Sequence, residues 1–275
     1  MNLSNENIFH VKKDNIEYLQ FKKLLEFDNI VHCYTLSVKN VDFRSNFLGN
    51  STGILNSSYD RICNALEISK KDIVKPKQTH TDCIKNVENS LEIYANPKKY
   101  NDVDGLLTNK KNINLMLSFA DCTPILLYDP TNKVIGNIHS GWRGTAQKIG
   151  QKAVQKMIKD YNSKPEDIIA CIGPCIGKCH FEVEEDVKEI FEKTFSYLGR
   201  NYDIIKKQEK LIDGKQKYHI DTTIINRLIL EKCGLSKNNI VESNICTVCN
   251  SEYMHSYRAQ GNKAGRNITI LGMKP

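Results

Sequence analysis

The chain has 275 residues, 40% of them hydrophobic, and a formal net charge of +7, enough apolar sequence to bury a substantial core without covalent staples. No apolar run approaches the roughly 20 residues that cross a bilayer, so no membrane partner is expected. The charge is spread over 39 Lys and Arg, of which only seven are Arg; a diffuse lysine background of this kind argues against nucleic acid as a partner.

Up to about residue 50, apolar residues alternate with polar ones, as in Ile16-Glu-Tyr-Leu-Gln-Phe and Ile30-Val-His-Cys-Tyr-Thr-Leu, which predicts β-hairpins. Residues 57–68 predict a helix carrying Ile62 and Leu66. Strands are expected at 83–87, 113–118, 124–128 and 134–138. One helix is expected over 143–161, where Ile149, Ala153, Val154, Met157 and Ile158 recur at helical spacing. A buried strand at 168–172 runs into Gly173-Pro174-Cys175-Ile176-Gly177, which must be a loop. Helices at 183–195 and 222–233 and a closing strand at 268–271 complete the pattern, with the Lys-rich stretch 206–217 as an exposed hairpin or loop. With no linker and no long-period repeat, the expectation is one mixed α+β domain over residues 1–275.

The N-terminus lacks the basic start and apolar stretch of a secretory signal, so a cytosolic (cytoplasmic) location is expected and the ten cysteines should stay reduced. Four segments combine ligand or nucleophile side chains with turn formers: Lys77-Gln-Thr-His80, Ser118-Phe-Ala-Asp-Cys122-Thr-Pro, Asn137-Ile-His139-Ser-Gly-Trp-Arg-Gly144 and Cys171-Ile-Gly-Pro-Cys175-Ile-Gly. His139 ends a strand and precedes a helix start, an arrangement suited to a phosphate or carboxylate. Arg143, Arg258 and Arg266 lie in Gly- or aromatic-containing segments where a fixed guanidinium could hold an anion. One Cys and two His suffice for a three-ligand zinc site with an open fourth position. Spacing alone nevertheless reads His80, Cys122 and His139 as ordinary structural residues, since it matches no short metal motif.

Taken in order, Gln78-Thr-His80, Asp104-Gly-Leu-Leu-Thr108, Ala120-Asp-Cys-Thr-Pro124, His139-Ser-Gly-Trp-Arg-Gly144, Ile172-Gly-Pro-Cys-Ile-Gly177, Cys246-Thr and Ser256-Tyr-Arg258 resemble the YfiH or laccase-domain family, first labelled polyphenol oxidases and later described as purine nucleoside phosphorylases. The resemblance implies a layered αββα-type sandwich of mixed sheets and a zinc ion, with copper as the lesser choice, held by His80, Cys122 and His139. It implies phosphorolysis of adenosine, inosine and S-methyl-5′-thioadenosine by inorganic phosphate, with adenosine deaminase activity also attributed to the family. On this reading Cys122, Arg143 and Asp121 are catalytic candidates, Arg143 and Arg258 anion contacts, and the protein a monomer or small homo-oligomer. The chain departs from the family pattern at His32-Cys-Tyr-Thr-Leu-Ser, at Phe181 in place of Tyr, and at Ala259 in place of a second Arg.

Three other readings compete: a metal-free cysteine hydrolase with Cys122 as nucleophile, a laccase-like copper polyphenol oxidase, for which seven His are few, and a peptidoglycan-editing accessory protein. Asp121 could be a base or a carboxylate supporting a ligand, or simply a turn residue. Cys171, Cys175 and Cys179, evenly spaced, and the C-x-x-C pair Cys246 and Cys249 could hold a second metal or form a redox pair; the structural reading is preferred, because a structural zinc site usually needs four well-placed ligands.

Overall fold

A computed structural model describes residues 2–13, 15–38, 41–44, 54–198, 203–209, 211–212 and 214–275. Two six-stranded sheets face each other. The first runs in the order Ile8–Lys13, Ile16–Phe21, Ile30–Thr35, Asn267–Met273, Asn114–Phe119, Ile73–Val74, antiparallel except for its last pair. The second runs Ile240–Glu242, Ile169–Ile172, Thr123–Asp129, Val134–Ser140, Gly105–Thr108, Ile84–Asn86, with parallel pairs at both edges.

The central strands read as nearly unbroken apolar runs because both of their faces are covered. Along Asn114–Phe119, Leu115, Leu117 and Phe119 enter the layer between the sheets, while Met116 faces the Ile54–Leu66 helix through Ile62 and Cys63. Along Thr123–Asp129, Leu126 and Tyr128 turn inward, and Ile125 and Leu127 pack under Ile149, Ala153, Val154 and Met157 of the Ile149–Tyr161 helix and Leu230 of the Thr222–Lys232 helix. Helix, sheet, sheet, helix is the αββα sandwich the family resemblance implies. A third, small sheet of Glu182–Val183, Tyr218–Ile220 and Ile205–Lys207 packs with the Glu185–Phe195 helix against Ile225 and Ile229.

Two details of the packing set up the site. The Thr123–Asp129 and Val134–Ser140 strands form a hairpin whose turn is closed by Asp129 Oδ1, which accepts from the backbone N–H of Thr131 and Asn132; its register sets Pro124 opposite His139. Asn137, fully buried, donates to Leu115 O at 2.9 Å and accepts from Thr269 Oγ1 at 2.9 Å, tying one sheet to the other. A buried amide with these partners satisfied fixes the stacking of the sheets. Because side chains alternate along a strand, His139 then emerges on the same inter-sheet face, beside Phe119, at a ring separation of 5.3 Å.

Several elements differ from their sequence expectation. The helix expected over 143–161 is two, Trp142–Ala146 and Ile149–Tyr161, because Lys148 takes a left-handed conformation (φ 58°) between them. That break lets the longer piece lie along the second sheet. The helix expected from 183 starts at Glu185, since Val183 is paired with Tyr218. The helix expected from 57 starts at Ile54. The strands Ile205–Lys207 and Tyr218–Ile220, on either side of the expected hairpin or loop at 206–217, pair antiparallel; residues 210 and 213 of that stretch lie outside the described residues. The part of the expected N-terminal hairpins at 45–50 lies outside the described residues.

Candidate metal centre

His80, Cys122 and His139 come from three different segments and converge: one ligand atom from each lies within 4.8 Å of the others. Cys122 Sγ is 3.7 Å from His80 Nε2, and the two imidazole rings stand edge to face with centroids 5.0 Å apart.

Each ligand is held by its own local structure. His80 has φ 66° and sits in a loop that two residues anchor. Gln78 pairs with the Ser118 backbone through both ends of its amide, at 3.0 and 2.8 Å. Asp104, buried, accepts from the backbone N–H of Thr79, His80 and Thr81 and from the Thr81 hydroxyl. The same carboxylate lies 2.7 Å from His139 Nδ1, which places the proton on Nδ1 and leaves Nε2 to face a metal. Cys122 follows Asp121, whose φ is 86°. Asp121 accepts from Thr247 Oγ1 at 2.6 Å and from Arg258 N at 2.7 Å, so both carboxylate oxygens are committed to holding the turn.

The electrostatics favour a thiolate–imidazolium pair: Cys122 is already in its binding form, and His139 must release its Nε2 proton to take a metal. Burial opposes ionisation of Cys122, but the charge of His139 and hydrogen bonds from His139 and His80 outweigh it and bring the thiol down to about 6. Burial likewise opposes the charged form of His139, yet the Cys122 thiolate and Asp104 raise it to about 9. Asp104, disfavoured by burial, is brought down to about 2 by His139 and by the Thr81 hydrogen bonds. Gly141 completes the geometry: a Cβ there would stand 2.9 Å from His80 Cδ2 and 3.1 Å from Cys122 Sγ, closing the space among the three ligands. Thiolate, two imidazoles and this space fit a borderline-soft divalent ion with one position left open.

The ligands line a cavity of about 550 Å³, within the range of small-molecule sites. Phe43, Phe181, Trp142 and Tyr257 give it aromatic surface; Arg44, Lys75, Arg258 and Arg266 give it positive charge. Burial and the neighbouring Arg266 lower Lys75 to about 8. Arg258 is aimed by its own bonds, Nη1 to His180 O at 2.7 Å and Nη2 to Glu182 O at 3.0 Å, and Arg266 Nη1 donates to Gly265 O at 2.8 Å.

Of the expected site residues, His80, Cys122, His139, Asp121 and Arg258 all line this cavity. Arg143 does not. It is exposed, its guanidinium 4.2 Å from the centre of the Trp142 ring, on a helix of only five residues. Asp104, Gly141 and Lys75 were not among the expected residues. Asp104 stands inside a quoted motif but 35 positions before its partner His139, and nothing in the sequence joins the two. His32 is buried in the first sheet, where its Nε2 accepts from Phe21 N, away from the cavity lining.

Residues 43–274 match the family described as multi-copper polyphenol oxidoreductase laccase. Among curated relatives, the chain is 36% identical over 171 residues to the purine nucleoside phosphorylase YlmD of Bacillus subtilis, covering 62% of this chain and 59% of that protein. It is 36% identical over 203 residues to a purine nucleoside phosphorylase of Clostridium acetobutylicum, covering 73% and 77%. It is 32% identical over 212 residues to the adenosine deaminase RL5 of an unknown prokaryotic organism, covering 76% and 78%. In fold it is similar to YlmD from Geobacillus stearothermophilus, with a TM-score of 0.81 at 24% identity over 97% of this chain and 99% of that one.

Proposed function

The chain belongs to the multi-copper polyphenol oxidoreductase laccase family, and on that premise we propose that it is a zinc-dependent purine nucleoside phosphorylase acting on adenosine, inosine and S-methyl-5′-thioadenosine. The observation that carries this reading is the joining of a Cys-His-His ligand set to one cavity lined by both aromatic rings and cations. The names of two relatives point the same way.

In phosphorolysis a phosphate oxygen forms a bond to C1′ of the ribose, the C1′–N9 bond breaks, and the purine leaves with the electron pair and takes up a proton. The chain must therefore hold an anion beside the sugar and a flat, apolar base beyond it. Lys75, Arg258 and Arg266 line the cavity and supply the positive charge this reading asks of a phosphate site. Phe181 and Tyr257 supply surface against which a purine can stack. Asp121 serves by position: it fixes the turn bearing Cys122 and the backbone of Arg258. His80, Cys122 and His139 would hold the zinc ion, which would supply Lewis acidity and a means of activating water near neutral pH.

Activation of water also supports a second reading, adenosine deamination, which the RL5 relative favours. Separating the base, nucleoside and sugar phosphate formed from each substrate tests both. Phosphorolysis requires adenine or hypoxanthine release only when phosphate is supplied, and loss of that release in Cys122→Ala; deamination gives inosine from adenosine without phosphate. No base and no inosine from any of the three nucleosides would reject the proposal. Phosphate-independent hydrolysis by metal-free protein would favour the Cys122 hydrolase, copper-dependent oxidation of phenols the laccase, and binding without turnover a peptidoglycan-editing accessory role.

A further inference from the structure

Four potential ligands meet at a second place. Cys179, His180, Cys246 and Cys249 bring one ligand atom each to within 4.8 Å of the others. Cys179 and His180 follow the Gly173–Gly177 loop; Cys246 and Cys249 belong to a turn closed by Asn250, whose N and Nδ2 both donate to Cys246 O. Sequence spacing hid this convergence, because His180 lies 66 positions from Cys246.

The separations decide what the cluster can be. Cys179 Sγ and Cys249 Sγ are 3.7 Å apart, and His180 Nδ1 lies 3.2, 3.5 and 3.7 Å from the sulphurs of Cys179, Cys249 and Cys246. A disulfide needs sulphurs about 2.05 Å apart, and the three thiols Cys179, Cys246 and Cys249 are all free. A tetrahedral zinc site with Zn–S of about 2.3 Å and Zn–N of about 2.05 Å has S···S edges of about 3.8 Å and S···N edges of about 3.5 Å. Four of the six edges lie close to those of that tetrahedron, and the other two, from Cys246 Sγ to the sulphurs of Cys179 and Cys249, are within 4.8 Å. Cys246 Sγ also accepts from Gly177 N at 3.2 Å, a bond that favours a thiolate there. Gly177 is the residue that allows the approach, since a Cβ on it would stand 3.2 Å from Cys179 Sγ and 3.3 Å from Cys246 Cβ.

We propose that Cys179, His180, Cys246 and Cys249 bind a second zinc ion, distinct from the one at His80, Cys122 and His139, through three sulphurs and His180 Nδ1. Four protein ligands leave no open position, so this ion is structural. Its effect on the cavity is direct. The first ligand pair leads into Phe181 and the second pair into Tyr257 and Arg258, all of which line the cavity, and Arg258 donates to His180 O itself. The ion would clamp these two loops together at one wall.

The test counts zinc per chain in the full-length protein by elemental analysis and native mass spectrometry, and reads the zinc environment by X-ray absorption. Wild type is expected to hold two ions. The double variant His80→Ala with Cys122→Ala is expected to keep one, with three sulphurs and one nitrogen around it; Cys179→Ser with Cys249→Ser is expected to lose that one. If the serine variant does not fold, the first variant decides alone. A His80→Ala, Cys122→Ala protein with no zinc, with a different ligand shell, or with a mass showing a Cys–Cys bond in the cluster overturns the proposal. Wild type holding a single ion with the three-sulphur shell would uphold this site and count instead against the zinc centre of the proposed function.

Discussion

Asp104 Oδ1 lies 2.7 Å from His139 Nδ1 and 3.1 Å from the backbone nitrogen of His80, so one buried carboxylate orients two of the three ligands. Asp104→Asn keeps the shape but cannot accept all of these bonds or hold His139 in the same tautomer. Metal affinity, measured by competition with a chromophoric chelator, is expected to fall about 10- to 100-fold. Stability should fall with it, by roughly 1–3 kcal/mol for each buried donor left without a partner. Unchanged affinity would show that Asp104 serves the loop alone.

Gly141 is the second position where one atom matters. Gly141→Ala places a methyl group 2.9 Å from His80 Cδ2 and 3.1 Å from Cys122 Sγ, while its φ of −67° is one any residue adopts. Backbone strain is therefore absent, and the whole effect should fall on the ligands. Melting temperature is expected to stay within a few degrees in metal-free protein, with metal affinity reduced by about tenfold or more, on the scale of other losses of ligand support.

These two residues mark what the sequence does and does not carry. His80, Cys122 and His139 are legible because each sits in its own short segment where turn formers surround a ligand type, and because the segments come in a recognisable order. Asp104 and Gly141 act through space, one from 35 positions away, the other by lacking a side chain. The helix break at Lys148 has no Gly or Pro to announce it. The small third sheet is built of strands two or three residues long, too short for alternation to register. From spacing alone Cys179, Cys246 and Cys249 lack a fourth ligand, which the fold brings to them as His180.

Lys75 gives the site an expected pH dependence. Burial and Arg266 lower it to about 8, so its charge is present below that pH and lost above it. Between pH 7.5 and 9.5, where phosphate is already a dianion, KM for phosphate is expected to rise. Lys75→Met should raise KM by about tenfold at the low end, the scale of one charge-assisted hydrogen bond, and remove the pH dependence. Arg143→Ala, outside the cavity lining and stacked on Trp142, is expected to change phosphate KM by less than about twofold, within the range of an exposed cation. A large Arg143 effect together with a silent Lys75→Met would move the anion site to the start of the Trp142–Ala146 helix.

Asp121 separates a positioning role from proton transfer. Its two oxygens are occupied by Thr247 Oγ1 and Arg258 N, and its φ of 86° is one that Asn tolerates and Ala adopts only under strain. Three variants resolve it. Asp121→Asn, which can accept one of the two bonds, is expected to lower kcat/KM moderately with the pH profile unchanged. Thr247→Val, which removes one partner and leaves the carboxylate in place, should reproduce much of that loss. Asp121→Ala should lose both bonds and add backbone strain of about 1–3 kcal/mol, so its melting temperature should fall furthest. A general base would behave differently: Asp121→Asn would abolish turnover and remove the acid limb of the pH profile, while Thr247→Val, with the carboxylate intact, would remain active. The carboxylate that both bonds hold in place also fixes the backbone of Cys122 and of Arg258, so the activity lost in Asp121→Asn and Thr247→Val should track displacement of those two side chains.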